Sequence, residues 1–386
     1  MKVSKIFKKI ISVFVFEFIR KYANIINCLR GNFKKFSVRT HSILIIECAT
    51  FHGENFPSLT KYLLDLGYNV DVIFRKTKKT KEQGNRNDMG LLSCFDGDFR
   101  LRVKTLSGID MNLLLRSVAA TKYKHIIIVT FNNWIKQNYF YGIDFFKLKP
   151  ICMIHNPDMI IDDYLKTNKV ISPAKMDCIG RKAPYAVSIH YFGIFPSTRK
   201  SGTTTFVAFN TGDISRRNIY LLFLSCDELY RRGKNNFRIK IIGNGLAVPQ
   251  RFHGNFQFFG FLNFQEMYKE IAESDFILAL IDQASVKYTN KASGSYGLSY
   301  GFLKPIVLHR KFSSVSNFTD ENSVLYDHND DLPNAMEKCI NMPDNAYTKL
   351  TSSLEVSERE LYTSSLNNLK EALEVPIQYV SYDQFI

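Results

Sequence analysis

The sequence lacks the features that mark zinc-binding, disulfide-rich and membrane-spanning chains. Its seven cysteines are scattered, with no C-x-x-C pair, and several lie inside apolar stretches, where a buried reduced thiol is expected. The apolar run 10–19 is interrupted by Glu17 and is shorter than the about 20 residues that a membrane-spanning helix needs. We therefore expect a reducing, cytoplasmic setting, no zinc site and no membrane-spanning helix in this run.

The N-terminal segment 1–40 also lacks a secretory signal. Lysines and arginines lie on both sides of the run 10–19, and no small-residue cleavage site follows it. Two interpretations remain open. The segment is either a basic amphipathic helix on an anionic membrane surface, at the inner face of the cell membrane, or a helix packed on the first domain with its lysines in water.

Acidic residues are too few to balance the basic ones, and the 386-residue chain carries a net charge of +15. Such an excess predicts an anionic partner, such as a nucleotide diphosphate or an acidic lipid. Nucleic acid is not expected, because the lysines cluster at the terminus and in the loop 75–81 without an aromatic-interleaved face. A hydrophobic content of 45% is ample for folded cores.

Strands alternate with helices along most of the chain, which predicts an α/β fold with doubly wound, parallel sheets. In the first half, strands are expected at 42–47, 69–74, 99–105, 125–131 and 150–155, with helices near 59–66 and 111–121. In the second half, strands are expected at 205–210, 237–243, 256–260, 275–281 and 305–308, with helices at 218–231 and 264–272. The predicted units are the N-terminal segment 1–40, domains 41–196 and 203–345, and a polar helical tail 346–386.

A Ser/Gly-rich loop that turns into a helix lies between two predicted strands of the second half. The loop contains Lys291, Ser293, Gly294 and Ser295. A helix that begins there presents backbone N–H groups and a positive dipole end, and Lys291 adds a full charge. These features predict a diphosphate cradle at the carboxyl end of a strand. The alternative is an ordinary strand–helix–strand crossover with a serine N-cap.

The order of motifs in the second half resembles the C-terminal domain of GT-B glycosyltransferases. The motifs are a strand followed by the polar turn 210–218, Ile-Ile-Gly-Asn-Gly at 241–245, a Gly260 turn, and a glycine-bearing helix before Lys-Pro-Ile-Val at 304–307. The Ser/Gly-rich motif at 291–295 is similar to the motif in divergent branches of the retaining, family-4-like group, which are found in capsule and lipopolysaccharide biosynthesis. In the first half the resemblance rests on His52-Gly-Glu54 and His155-Asn-Pro-Asp158.

The resemblance implies two Rossmann-like domains facing a central cleft, and a sugar transferred from a nucleotide diphosphate donor to a lipid-linked or polysaccharide acceptor. The resemblance also implies which residues contact the donor. They are the cradle residues together with Arg216, Arg217, Gly243 and Gly245. No further cofactor is expected. No Asp-x-Asp stands where a metal site would be expected, so metal-independent chemistry is predicted.

The first domain is expected to face the acceptor. His155 and Asp158 follow the carboxyl end of a strand and His52 follows another, so each could orient an acceptor hydroxyl or stabilise an oxocarbenium-like sugar. A structural role as hydrogen-bonded loop residues is the alternative for both histidines.

The family's paired glutamates are missing, because their places fall near Asn290 and Leu298. This departure leaves ribose recognition without a candidate residue. It also keeps open a catalytically silent partner subunit of another transferase. A sugar-nucleotide epimerase on the same fold is a further alternative.

Overall fold

Two six-stranded parallel sheets, one in each half of the chain, form the framework of the protein in a computed structural model. The structure describes residues 37–48, 52–75, 90–117, 120–140, 142–155, 169–178, 181–182, 184–189, 202–210, 212, 217–243, 249–285 and 287–374. The N-terminal segment 1–36 and the part of the lysine-rich loop beyond Arg75 lie outside these ranges.

The first sheet contains the strands β1 (Ser42–Glu47), β2 (Asn69–Arg75), β3 (Leu101–Leu106), β4 (His125–Ile128), β5 (Ile151–Met153) and β6 (Val170–Ile171). Its order is β3-β2-β1-β4-β5-β6, and every neighbouring pair is parallel. All six residues of β1 are buried, because apolar cores cover both faces of the sheet. A two-stranded antiparallel pair follows, formed by β7 (Asp177–Cys178) and β8 (Arg181–Lys182).

The second sheet contains β9 (Thr204–Asn210), β10 (Phe237–Gly243), β11 (Phe256–Phe259), β12 (Phe276–Leu278), β13 (Ile306–His309) and β14 (Val324–Tyr326). The order β11-β10-β9-β12-β13-β14 repeats that of the first sheet. The prediction of two doubly wound α/β units is therefore confirmed. In each sheet the strand order reverses beside the first strand, and ligands of such sheets bind at the carboxyl ends of the strands near that point.

Nine α-helices lie in the described part of the chain. They are α1 (Phe56–Asp65), α2 (Gly108–Arg116), α3 (Asn133–Tyr139), α4 (Phe145–Leu148), α5 (Ile219–Arg231), α6 (Phe264–Ala272), α7 (Gly294–Phe302), α8 (Leu332–Ile340) and α9 (Asp344–Glu374). The helix predicted at 111–121 begins earlier, because Ser107 Oγ accepts a hydrogen bond from Asp110 N at 3.1 Å and caps it. None of the described helices combines the length and apolar character needed to cross a bilayer.

The 31-residue helix α9 contacts both domains. Near its start, Tyr347 Oη donates a hydrogen bond to Asp275 O of the second domain at 2.9 Å. Further along, Ser365 Oγ accepts one from Val187 N of the first domain at 2.9 Å. The described part of the predicted polar tail, 346–374, thus lies in a helix that ties the two domains together.

Candidate active-site cleft

A cavity of about 70 Å³ lies between the two domains, where the loops that follow the strands of both sheets approach each other. Its lining from the first domain is His52, Glu54, Asn55, His155 and Ser188; its lining from the second domain is Arg217, Tyr288, Lys291, Ala292, Ser293 and Gly294. All of these residues except Ser188, which follows β8, lie after the ends of β1, β5, β9 and β12. Neither domain alone supplies the whole lining.

Arg217 anchors the second-domain side of the cleft. Its side chain is only 8% exposed, and its Nη2 donates hydrogen bonds to Ser293 Oγ at 2.7 Å and Ser295 Oγ at 3.2 Å. Ser293 is the N-cap of α7, yet its hydroxyl makes no capping bond to the helix. The hydroxyl accepts from the guanidinium, so a fixed positive charge lies beside the N-terminus of α7.

Tyr288 connects the two cations of the cleft. The guanidinium carbon of Arg217 lies 5.7 Å from the centre of the Tyr288 ring, and Lys291 Nζ lies 5.8 Å from the same centre. Both distances fall within the range of cation–π attraction. The aromatic ring therefore helps to hold two positive charges close together, although like charges repel.

The first-domain side presents two histidines whose rings are stacked. The ring centres of His52 and His155 are 3.9 Å apart, with 6° between the ring planes. His155 Nε2 lies 2.8 Å from Val129 O, so it carries the hydrogen, since a carbonyl oxygen can only accept. His52 Nδ1 donates to Glu54 Oε1 at 3.0 Å.

The two imidazoles have opposite pKa shifts. Burial lowers the pKa of His155 well below its usual value of 6.5, and the charge of His52 lowers it further. Burial also lowers the pKa of His52, but the hydrogen bond and charge of Glu54 outweigh it, so that this pKa is raised. Lys291 lowers the pKa of both rings, which places its charge within electrostatic reach of the pair.

The arrangement suits a ligand with an anionic part and a neutral, hydroxyl-bearing part. Arg217, Lys291 and the first turn of α7 offer positive charge and N–H donors to the anion. The histidines, with Glu54, offer groups that accept or hold protons. Within the described residues, no group of three His, Cys, Asp or Glu side chains is placed to hold a metal ion.

Most of the predicted site residues that the structure describes come together in this cleft: His52, His155, Arg217, Lys291, Ser293 and Gly294. Ser295 lies behind them, 2% exposed, where it accepts the bond from Arg217. Asp158, Arg216 and Gly245 lie outside the described residues.

Gly243 does not line the cavity. It ends β10 with φ of +126°, and a Cβ there would lie 2.1 Å from Asn210 O on the neighbouring strand. This close approach of two backbones requires glycine whatever the ligand.

Five residues of the lining were not predicted as site residues from the sequence: Glu54, Asn55, Ser188, Tyr288 and Ala292. Glu54 is part of the His-Gly-Glu turn, so its position two residues after His52 could have indicated a partner for that imidazole. Tyr288 gave no such signal, because its cation partner Arg217 is distant in sequence. The expected positions of the missing glutamates are Asn290, in a 3-10 turn, and Leu298, buried in α7.

No protein-family model matches the sequence, and neither does the sequence of any curated protein. The fold, in contrast, is similar to that of many solved structures. A glycosyltransferase from Rickettsia africae ESF-5 aligns with 87% of this chain and 98% of its own, at a TM-score of 0.55 and 11% identity. A TarM mutant from S. aureus, in complex with fondaparinux, α-GlcNAc-glycerol and UDP, is also similar. It aligns with 87% of this chain and 100% of its own, at a TM-score of 0.57 and 9% identity.

The α,α-trehalose 6-phosphate synthase from Burkholderia multivorans is a third similar structure. It aligns with 87% of this chain and 98% of its own, at a TM-score of 0.51 and 9% identity. The alignments cover both domains, and both sheets of this chain share one doubly wound strand order. The chain has the GT-B fold, as the resemblance in its sequence implied.

Proposed function

We propose that the protein is a glycosyltransferase that moves a sugar from a nucleotide diphosphate donor onto a lipid-linked or polysaccharide acceptor. The observation that supports this most is the division of the cleft. Cations and a helix N-terminus line its second-domain side, and two stacked histidines line its first-domain side. A sugar diphosphate has the same division, because its diphosphate is anionic and its sugar is neutral.

On the donor side, Arg217, Lys291 and the first backbone amides of α7 would hold the diphosphate. As the sugar departs, negative charge grows on the leaving diphosphate, and fixed cations with preorganised N–H donors stabilise it without a metal ion. Arg216, Gly243 and Gly245 would complete the donor site, as the family resemblance implies. Gly243 would contribute through its backbone, since it has no side chain and lies outside the cavity.

On the acceptor side, His155 is the better placed of the two histidines to orient a hydroxyl. Its Nε2–H is committed to Val129 O, and its low pKa leaves the ring neutral with a lone pair on Nδ1. His52 would carry positive charge more readily, because Glu54 raises its pKa against the effect of burial. Asp158 would add a further polar group from the same loop as His155.

The proposed transferase subtype and cellular location rest on the sequence. We assign the chain to the retaining, family-4-like type that builds capsule or lipopolysaccharide, working in the cytoplasm or peripherally at the inner face of the cell membrane. The basic segment 1–40 and the net charge of +15 would favour anionic lipid and a pyrophosphate-linked acceptor. The similar TarM structure contains UDP, which makes a uridine diphosphate donor the first to test.

A catalytically silent partner subunit is the second candidate. The positions of the family's paired glutamates hold Asn290 and Leu298, and Leu298 is 4% exposed within the core. Neither residue can accept hydrogen bonds as a carboxylate does, so the ribose would need another partner. An epimerase would convert the donor with no acceptor present, so a donor-only assay identifies it.

The test is a thermal-shift screen of the full chain against UDP, GDP, TDP and CMP, each with magnesium and with a chelator. A ligand that binds only the native state raises its melting temperature by mass action. We expect a selective shift for one diphosphate that does not depend on magnesium and is reduced in Lys291→Ala. The exposed Lys338→Ala serves as the matched control. No shift with any nucleotide would favour the silent subunit.

A further inference from the structure

A second cavity lies at the opposite end of the first sheet, away from the cleft. Its volume is about 300 Å³, and its lining includes Lys124, His125, Lys147, Lys149 and Lys169. None of the residues that the structure places in this lining is acidic. Four ammonium groups around one concavity focus a positive potential, because clefts lined by one sign of charge concentrate its field.

Strand register explains why these cations meet. β4 begins at His125, β5 follows Lys149 after one proline, and β6 directly follows Lys169. The three strands are parallel neighbours, with Ile127 opposite Ile151 in β5. The basic residues therefore stand side by side along the amino-terminal edge of the sheet. The cleft uses the carboxyl-terminal edge of the same strands, so the two sites are separate.

Two of the four ammonium groups donate to neutral acceptors. Lys169 Nζ donates to Leu373 O, near the end of α9, at 3.3 Å, and Lys124 Nζ donates to Tyr68 Oη at 3.2 Å. An ammonium carries three donors, so one neutral acceptor leaves capacity for a ligand oxygen. The positive potential of the lysines also acts on His125. Its pKa is lowered to about 4, first by burial and then by the charges of Lys169 and Lys124.

An adjoining cavity of about 220 Å³ extends the basic region. It shares Thr121 and Lys147 with the first cavity and adds Arg116. Its one acidic residue, Asp144, accepts a hydrogen bond from Lys147 N as the N-cap of α4. Together, the side chains that line the two cavities carry more positive than negative charge, and they offer several hydrogen-bond donors.

We propose that the cavity of Lys124, Lys147, Lys149 and Lys169 binds a phosphate-bearing anion, independently of the nucleotide site in the cleft. Phosphate groups match it because they are multiply charged and accept several hydrogen bonds from lysine ammonium groups. Two sources share this chemistry: a soluble oligophosphate and the headgroup of an anionic lipid. Binding of lipid would fix the side of the first domain that faces a membrane.

The test is lysine footprinting on the full chain. The protein is acylated with an amine-reactive ester in the presence of sodium tripolyphosphate, of phosphatidylcholine vesicles, or of vesicles that also contain phosphatidylglycerol, and each lysine is quantified by mass spectrometry. This readout separates the cavity from the basic segment 1–36 and from the cleft, because each lysine reports its own protection. Lys338 in α8 and Lys349 in α9, both exposed, are the internal controls.

Protection of Lys147 and Lys149 by tripolyphosphate alone would support a soluble ligand, and protection by phosphatidylglycerol vesicles would support a lipid headgroup. In the variant Lys147→Gln with Lys149→Gln, we expect the concentration for half-protection of Lys124 and Lys169 to rise about tenfold or more. The matched variant Lys338→Gln with Lys349→Gln should not change it. Protection of no cavity lysine, or equal protection of the controls, would overturn the proposal.

Discussion

Replacing Arg217 separates the structural and binding roles of the cleft cations. The guanidinium is 8% exposed and donates to Ser293 Oγ and Ser295 Oγ. A hydrogen bond that involves a charged group contributes about 1.5–3 kcal/mol. In Arg217→Ala both bonds are lost. Ser293 could then return to capping α7, which restores about 1 kcal/mol. We therefore expect Arg217→Ala to lower the free energy of unfolding by at least about 2 kcal/mol, the lower end of the range for two such bonds after the cap is restored.

Lys291→Ala is the comparison, because Lys291 is only partly buried and surface substitutions usually change stability by less than about 0.5 kcal/mol. For domains of this size, 2 kcal/mol corresponds to a melting-temperature decrease of about 4–8 °C. Differential scanning fluorimetry measures the melting temperature, and calorimetric titration measures nucleoside diphosphate affinity. Both variants should lose about tenfold or more in affinity, since each removes a charged contact with phosphate.

The expected pattern is therefore two losses of affinity and only one loss of stability. Loss of stability alone in Arg217→Ala, with unchanged affinity in both variants, would show that the cations serve the fold and not a ligand. Equal melting temperatures for the two variants would contradict the structural role that we assign to the bonds from Arg217 to the serines.

Three further predictions concern stability. Gly243→Ala should lower the denaturant midpoint strongly, because its Cβ would lie 2.1 Å from Asn210 O, whereas Gly254→Ala meets nothing within 4 Å and should change it little. His155→Gln should reduce the loss of stability on acidification, because the unfolded chain takes up a proton below about pH 6.5 while burial lowers the pKa of the folded histidine. Denaturant titrations between pH 5 and 8, in steps of about one unit, would measure this. Burial raises the pKa of Glu358 to about 7, so the stability that this carboxyl contributes should be lost as the pH rises from 4.5 towards 7, and Glu358→Gln should remove that contribution in the same titrations, compared with the wild type at each pH. An unchanged pH dependence would show that the carboxyl is solvated.

Local sequence pattern was sufficient to predict five of the six strands in each sheet and the start of the helix at the cleft, whereas the short edge strands β6 and β14 were not predicted. The apolar runs of β1 and β4, and the Ser-Gly pair before α7, carry their information in a few neighbouring residues. The helix α9 was also predicted, but its role was not. Its buried Leu354 and Leu361 belong to a core that includes residues of both domains, and that packing depends on the relative position of the domains.

The contacts that build the cleft depend on topology, which no local pattern contains. His52 and His155 follow β1 and β5, which are not neighbours because β4 lies between them. Their stacking needs both loops to turn over the end of β4, where Val129 O fixes the ring of His155. The structural requirement for glycine at position 243 was likewise not predictable locally, because its close contact with Asn210 arises from the register of β10 on β9.

The stacking of the two histidines restricts the chemistry of the cleft. Two imidazolium rings with centres 3.9 Å apart would repel each other strongly, because burial removes the water that screens them. The pair therefore carries at most one positive charge near neutral pH, and Glu54 favours that charge on His52. His155 is then confined to one tautomer, with hydrogen on Nε2 and a lone pair on Nδ1. A ligand hydroxyl can donate to that lone pair, whereas an anion would be repelled by it. The cations across the cleft have the opposite preference, so under the proposed function a sugar diphosphate would bind with its diphosphate towards α7 and its sugar towards His155.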